Sequence, residues 1–392
     1  MVEPGQVGVW GHLDSLPVSR LRAYARRVEE LGYGTLWLPE TVGREPFTAL
    51  GMLAGETRRI LLGTSIVSIW GHDAETTRMA AMTLAEATDG RFVLGLGVSH
   101  PHLAGKLRGH EYDKPLTRMR EFLAAYRSAV YKGPMATPDP GEPAVLLAAL
   151  RERMLGLAAT EASGAFPYLF TPQRVAWARG VLDQAAADAG RPRPLLAISM
   201  PAVLEEQPDA ARDAGRAYLA PYLRTPNYQA SWELQGFGAS DWEKPGSDRL
   251  VDAMVAWGSA QKLRESLAAL HAAGADHVAV IPLDANGVTE HLPVLEALRP
   301  NFTCPVCGYP GLFEIPWRGD SPSLEVCPSC GMQFGYMDAA GGDAKRRLEI
   351  HENWRATWVA DGMPWASTGQ SPPMAWDPAT QLLGLTSVSN QD

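Results

Sequence analysis

All four cysteines of the 392-residue chain, Cys304, Cys307, Cys327 and Cys330, fall in one short stretch with the spacing C-x2-C-x19-C-x2-C. Two C-x2-C turns set opposite each other deliver four soft thiolates to a tetrahedral ion, and zinc or iron would suit the set. Each pair ends in glycine, Gly308 and Gly331, and Cys304 and Cys327 are each followed by proline, Pro305 and Pro328. That is the chemistry of tight turns wrapped around sulfur. A site with four protein ligands closes on itself, so chemistry on a substrate has to come from elsewhere. A second set of reactive side chains lies just after short apolar runs: His12 and Asp14, Glu40 and Arg44, His72 and Asp73, then Ser99, His100 and His102. Four of the nine histidines are in that set.

The elements that must position these residues alternate between two periods. Strands are expected at 7–10, 35–38, 61–69, 92–96, 145–149, 166–169, 195–200 and 277–281, each β-rich and apolar. Helices are expected between them at 19–31, 46–56, 74–88, 115–131, 151–160, 172–189 and 259–273. In the first, Leu21, Tyr24, Ala25, Val28 and Leu31 share one face and Gly32 ends it. Eight strands alternating with helices over about 300 residues, with no G-x-G-x-x-G turn after the first strand, predict an α/β fold of the (β/α)8 barrel type rather than an open doubly wound sheet. Residues 1–300 then form the barrel and 301–392 a small separate module. Active sites of such barrels lie at the C-terminal ends of the strands, where the second set of residues falls. An apolar slot, polar groups at its edge and a proton donor there would suit hydride transfer.

The stretch 205–250 breaks the rhythm between strands seven and eight. It carries Tyr218, Tyr222, Tyr228, Trp232 and Trp242, which could line a pocket or pack on one another. Glu40 could serve chemistry or simply pair with Arg44, and His72 and His102 read as solvent-exposed loop histidines. Gly95 and Gly97 could serve close approach or layer packing within the barrel. Thr171, before Pro172, could cap a helix or bind an anion at its N-terminus.

With a net charge of -9 and a pI near 5.5, the chain would repel a polyanion, and no nucleic-acid partner is expected. No uncharged apolar run approaches a membrane span, and the N-terminus has no signal-peptide pattern. Free thiols held for a metal fit a reducing compartment, so the cytoplasm is the expected location.

The run from Asp89 to His100, DGRFVLGLGVSH, resembles the fourth strand of the luciferase-like monooxygenase superfamily, in particular its coenzyme F-420-dependent oxidoreductase branch. Gly63 to Ile66 is similar to that family's third strand, Lys114 to Glu121 to the helix after strand four, and 145–154 to strand five. The resemblance spans residues 6–300 and is weakest in the insertion. It implies a non-prolyl cis peptide at Ser65-Ile66 backing the central ring of a flavin or deazaflavin. It also implies a ring-edge segment made of Gly97, Val98, Ser99 and His100, and a substrate-facing position at Glu40. On that basis Glu40, His12 and His100 are the candidate catalytic residues. Ser65, Ile66, Gly97, Val98, Ser99 and Thr171 are the candidate cofactor contacts.

The implied reaction is hydride transfer between coenzyme F-420 and a small or carrier- or peptide-bound organic substrate. An FMN-dependent monooxygenase, supplied with reduced flavin by a partner reductase, is the alternative. A barrel that only binds a cofactor or partner is a further one. Barrels of this superfamily are usually dimeric, so a homodimer is expected. In the module, 301–309 and 327–331 resemble rubredoxin knuckles. Phe334-Gly-Tyr336, Glu352-Asn-Trp354 and Asp361 to Trp365 are similar instead to a small bacterial cysteine-rich zinc-ribbon family. Zinc in a structural or interaction role is therefore expected, with iron as the alternative. Trp354, Trp358, Trp365 and Trp376 would supply the module's core or a docking groove. The tail after Trp376 is expected to be frayed or a docking peptide.

Overall fold

The computed structural model describes residues 5–134, 141–300, 302–312, 315–369, 371–372 and 376–388. They divide into two compact units, Met1–Leu298 and Arg299–Asp392. In the first, eight parallel strands close on themselves: Val7–Trp10, Thr35–Leu38, Leu61–Thr64, Phe92–Gly97, Ala144–Leu147, Gly164–Ala165, Leu195–Val203 and His277–Leu283. The eighth pairs with both the first and the seventh, which completes the ring. Helices follow the strands close to the expected bounds, among them Val18–Glu30, Pro46–Ala54, Ala74–Ala87, Pro115–Ser128, Glu152–Glu161, Pro172–Asp188 and Ala260–Ala272.

Strand alternation sorts the core into two layers. Val9, Leu36, Leu62, Leu94, Leu147, Leu196 and Val278 point outward under the helices, whereas Trp37, Leu61, Val93, Leu146, Ala197 and Ala279 fill the barrel interior. Trp37 occupies the interior because its neighbour on strand three is Gly63, where a Cβ would lie 2.3 Å from the indole ring. The indole N–H donates to His277 Nε2 at 2.9 Å, and His277 Nδ1 reaches the Gly5 carbonyl at 2.7 Å. With one ring nitrogen accepting, His277 is the neutral Nδ1–H tautomer, and complete burial lowers its pKa to about 4.

Strand six departs from the expected span 166–169. Pairing sits earlier, at Gly164–Ala165, because Pro167 has no amide hydrogen to give a ladder and Gly164 lets strand seven approach. A Cβ on Gly164 would lie 2.0 Å from the Leu195 carbonyl oxygen. Strand three is interrupted at Ser65-Ile66 and resumes as Val67–Ser68 beside strand four. The insertion folds into four helices, Pro208–Leu219, Pro226–Glu233, Ala239–Trp242 and Asp248–Met254, and returns through Ala256–Trp257, which pairs with the end of strand seven. Trp232 is fully buried in that insert, so its aromatics do pack on one another.

In the second unit the two knuckles repeat one turn. Gly308 N donates to Cys304 O and Gly331 N to Cys327 O, and both glycines have φ of 76°, in the left-handed region. The helix Ala344–Ala360 clamps them: Trp354 Nε1 donates to Cys330 O, and Arg355 to the carbonyls of Pro305 and Val306. The tail is not frayed where it is described. Pro378–Val388 is a helix, and its Gln381 donates to Cys307 O at 2.9 Å while accepting from Trp376 Nε1.

His277 gives the barrel a defined acid sensitivity. Its folded pKa of about 4 lies below the unfolded value of about 6.5, so its stabilisation is complete above the unfolded value and fades as the pH falls towards the folded one. That amounts to about 3 kcal/mol. Urea unfolding followed at pH 7 and pH 4 should show His277→Gln losing less stability on acidification than the parent; equal losses would contradict the assignment.

Candidate active site

The break in strand three builds the floor of the site. The Ser65-Ile66 peptide is cis, and both neighbouring strands hold it. Trp10 Nε1 donates to Ser65 O at 3.0 Å, Ser65 N to Leu38 O at 2.9 Å, and Glu40 N to Ile66 O at 3.2 Å. On the other side Thr64 Oγ1 bridges to Gly95, donating to its carbonyl at 2.9 Å and accepting from its amide at 2.8 Å. A Cβ at Gly95 would lie 2.0 Å from Thr64 O, so only glycine fits. Gly97 has a related role: a Cβ there would meet Ile66 Cδ1 at 2.6 Å. Gly97 therefore backs Ile66 and is itself buried behind the wall.

Above this floor opens a cavity of about 1010 Å³. Its lining includes Ser65, Ile66, Val98, Ser99, Glu40, His12 and His100, so seven of the nine candidate residues share one space. Gly97 and Thr171 are not on its surface. Thr171 caps the helix Pro172–Asp188 by accepting from Arg174 N, and its own amide donates to Gln235 Oε1 at 2.9 Å. Ser99 holds φ of 53°, a strained conformation for a non-glycine residue that turns the chain across the strand ends. Trp70 Nε1 fixes the preceding Val98 carbonyl at 2.8 Å.

Glu40 does not pair with Arg44. Arg44 instead donates its backbone N–H to Asp14 at 2.8 Å and its guanidinium to Leu16 O. Glu40 is bound by Arg108, by Ser68 N at 2.7 Å and by His72 Nε2 at 3.3 Å, with only 6% of its side chain exposed. Burial by itself would raise its pKa, but His72, the Ser68 amide and Arg108 together outweigh burial and hold the carboxyl below its ordinary value. An ionised carboxylate so engaged is a poor proton donor; its chemistry is to anchor. His72 is accordingly no free loop histidine. The bond to Glu40 raises its pKa against the opposing effect of burial.

The other two candidate acids are neutral. Burial lowers the pKa of His12 despite Asp14, and lowers that of His100 to about 4, aided by the neighbouring His102 ring. His102 is exposed and stacks on His100 at 5.8 Å. His100 Nδ1 is buried with no protein partner, and so is Ser199 Oγ on the cavity wall from strand seven. Both await an atom of something bound there.

Sequence reasoning passed over Arg108, Arg174, Ser199 and the pairing of His72. Arg174 lies on Trp177 with its Cζ 3.4 Å from the ring centroid, is 8% exposed, and has an Nε without a partner. No carboxylate pairs with it among the described residues. Lys114, Arg151 and Arg153 line the same cavity, against the acids Glu40 and Glu152. The cavity is thus cationic within an anionic chain.

A profile of the family described as luciferase-like monooxygenase matches residues 1–277. The chain belongs to the luciferase-like monooxygenase family. A Mycobacterium tuberculosis relative to which coenzyme F-420-dependent oxidoreductase activity is ascribed is 25% identical over 274 residues, covering 63% of this chain and 78% of the relative. Among solved structures of the same architecture, the F-420-dependent tetrahydromethanopterin reductase of Methanopyrus kandleri superposes with a TM-score of 0.59 at 17% identity, over 75% of this chain and 97% of that one. The oxygenating component of the 3,6-diketocamphane monooxygenase of Pseudomonas putida, solved with FMN, gives the same score at 13% identity, over 75% and 96%. The luciferase-like fold is therefore common to both cofactor classes.

The second unit brings the four sulfurs together, all within 4.8 Å of one another, with Cys304–Cys330 and Cys307–Cys327 each at 3.7 Å. Tetrahedral zinc or iron thiolate geometry requires sulfurs about 3.8 Å apart, so the set fits one such ion.

Removing the Glu40 carboxylate should release His72. In Glu40→Gln, the His72 ring, followed by NMR across pH, is expected to titrate at lower pH than in the parent; an unchanged midpoint would show that Glu40 does not hold its proton.

Proposed function

We propose that the barrel is a coenzyme F-420-dependent oxidoreductase that transfers hydride to or from a small organic substrate. The observation that carries this reading is the buried, carboxylate-free Arg174 on a cavity shared with Lys114, Arg151 and Arg153. Four cations exceed what the single phosphate of FMN calls for. They suit the longer tail of the deazaflavin, with its phosphodiester and carboxylates. The F-420 activity ascribed to the mycobacterial relative supports the same choice.

The residues fit such a group in three respects. Ser65 and Ile66 offer a flat, rigid backing, and Ala148, Ala149 and Val98 leave an apolar slot. Ser199 Oγ and His100 Nδ1 are unpaired polar atoms able to meet the ring edge. Arg174 and its neighbours would hold the tail. The bound deazaflavin supplies two-electron hydride chemistry with little oxygen reactivity; the protein supplies position, a dry slot and control of protons. His12 and His100, kept neutral by burial, can donate or accept hydrogen bonds without placing charge beside the ring. Glu40 fixes Arg108 and the strand-three turn, which holds the shape of the floor.

In the module we assign zinc with a structural role, since all four ligands are buried cysteines and nothing is left open for substrate.

Fluorescence titration of the 392-residue protein, first analysed for one zinc per chain, should give micromolar or tighter binding of oxidised F-420 and much weaker binding of FMN. Arg174→Met should weaken F-420 binding about tenfold or more, with a reduced salt dependence. Preference for FMN would move the reading to a monooxygenase, and binding of neither would leave a partner-binding module. One iron per chain would overturn the zinc assignment.

A further inference from the structure

The connection between strand four and the helix Pro115–Ser128 supplies Ser99, His100, Leu103, Tyr112 and Lys114 to the cavity lining. It starts at Ser99 and ends at Lys114, both non-glycine residues in the left-handed region, with φ of 53° and 39°. Between them lies one π-helical turn, His102–Leu107, with Arg108 at its C-terminal end. Of residues 99–113 only Ala104 is buried. A segment that buries so little apolar surface depends on its polar contacts. Those contacts come from one side chain: Arg108 binds the Glu40 carboxylate and donates to Thr41 O at 3.1 Å. Among the described residues, no other hydrogen bond or ion pair ties residues 99–112 to the rest of the barrel; the Tyr112 hydroxyl turns back to Ser99 O at 3.4 Å. Gly71 leaves room for the pair, since a Cβ there would collide with Arg108 Nη1 and lie 3.0 Å from Glu40 Oε1.

The opposite end of the same turn carries His100. Its carbonyl accepts from Leu103 N at 3.0 Å and from Ala104 N at 2.9 Å, so His100 opens the turn that Arg108 closes. Gly109 N to Gly105 O at 2.8 Å and His110 N to Ala104 O at 2.9 Å complete it. Nothing polar in the protein places the imidazole itself. Its Nδ1 is buried without a partner, and its ring neighbours are His102 at 5.8 Å and Tyr228 at 5.2 Å. A side chain that no hydrogen bond holds takes its position from its backbone and its packing. Here the backbone is a compact turn whose far end is pinned by Arg108, and the guanidinium that pins it does not line the cavity.

We propose that Arg108 is a positioning residue: paired with Glu40, it fixes the turn from His100 to Arg108 and so holds the His100 imidazole at the edge of the bound ring. This rests on the F-420 reading above and deepens it. Glu40 acts along the same path, which gives the buried carboxylate a task that needs no proton transfer. His72 and the Ser68 amide hold Glu40 from its other side. The floor and the ring edge are then set by one connected group of contacts, and a ring that enters finds both already in place.

Two readouts on the 392-residue protein test this. In cofactor-free protein, hydrogen exchange followed by mass spectrometry should show residues 99–112 exchanging about tenfold or more faster in Arg108→Met than in the parent, with the rest of the barrel unchanged and Arg108→Lys partly restoring protection. For the bound state, oxidised F-420 is titrated into the parent, Arg108→Met, His100→Ala and the double variant. Each single substitution should weaken binding about tenfold. The double variant should bind no more weakly than His100→Ala alone, because Arg108 acts through His100. Gly71→Ala, which crowds Arg108 off Glu40 without removing either charge, should loosen the same segment and stands in should Arg108→Met fail to fold. Additive losses in the double variant, or equal protection of residues 99–112 in parent and variants, would overturn the proposal. Absence of F-420 binding would overturn the cofactor reading alone, since the exchange measurement judges the hold of Arg108 on the turn without cofactor.

Discussion

The site depends on one close backbone approach, that of strand three to strand four at Thr64–Gly95. No side chain fits there: a Cβ on Gly95 would sit 2.0 Å from the Thr64 carbonyl oxygen. Thr64 closes the contact with both hydrogen bonds of its hydroxyl, which pair the Gly95 amide and carbonyl. With the strands held so closely, strand three leaves the ladder at Ser65-Ile66 and places that peptide on the cavity floor. Trp10 from strand one and Glu40 from strand two then find their acceptors on it. Gly97, one layer up, yields its side-chain volume to Ile66. A flat wall fixed by backbone atoms can back a planar ring without rearranging when the ring binds, which is what preorganisation requires.

A second constraint is the division of charge within the cavity. Glu40 is the buried acid on the floor side, and three donors keep it ionised and occupied. The cations from the ends of strands four to six have few acidic partners, and Arg174 has none among the described residues. The remaining polar groups, His12, His100, Ser199 and the tyrosines, are neutral. In the proposed F-420 reading, the charged sector would take the anionic tail and the uncharged sector would let hydride and proton move without strong local fields. The chain's net charge says nothing of this, because the positive sector is local.

Much of this was legible in the sequence, for identifiable reasons. The eight strands and the helices between them follow from hydrophobic periods that tertiary packing did not override. The cysteine spacing states the sulfur cluster outright. The run Gly63 to Ile66 marked the cis peptide through family resemblance. Misreadings arose where local pattern and long-range packing diverged. Residues 166–169 look like a strand because they are apolar, yet their apolarity serves the cavity wall and the insertion, and the ladder belongs to Gly164–Ala165. Arg108 carries no local signal, since its partner Glu40 lies 68 residues earlier in the chain. His72 reads as a loop residue until that loop folds onto Glu40. The tail helix is invisible without Cys307 and Ser329, the groups its Gln381 binds.

We propose that a deazaflavin ring lies against Ser65-Ile66 with its anionic tail on Arg174. A crystal structure of the 392-residue protein grown with oxidised F-420 would decide this. Density is expected for the ring over that peptide, with Ser199 and His100 at its edge and the phosphodiester or a carboxylate on the Arg174 guanidinium. A ring bound elsewhere in the cavity, or a tail that avoids Arg174, would contradict it.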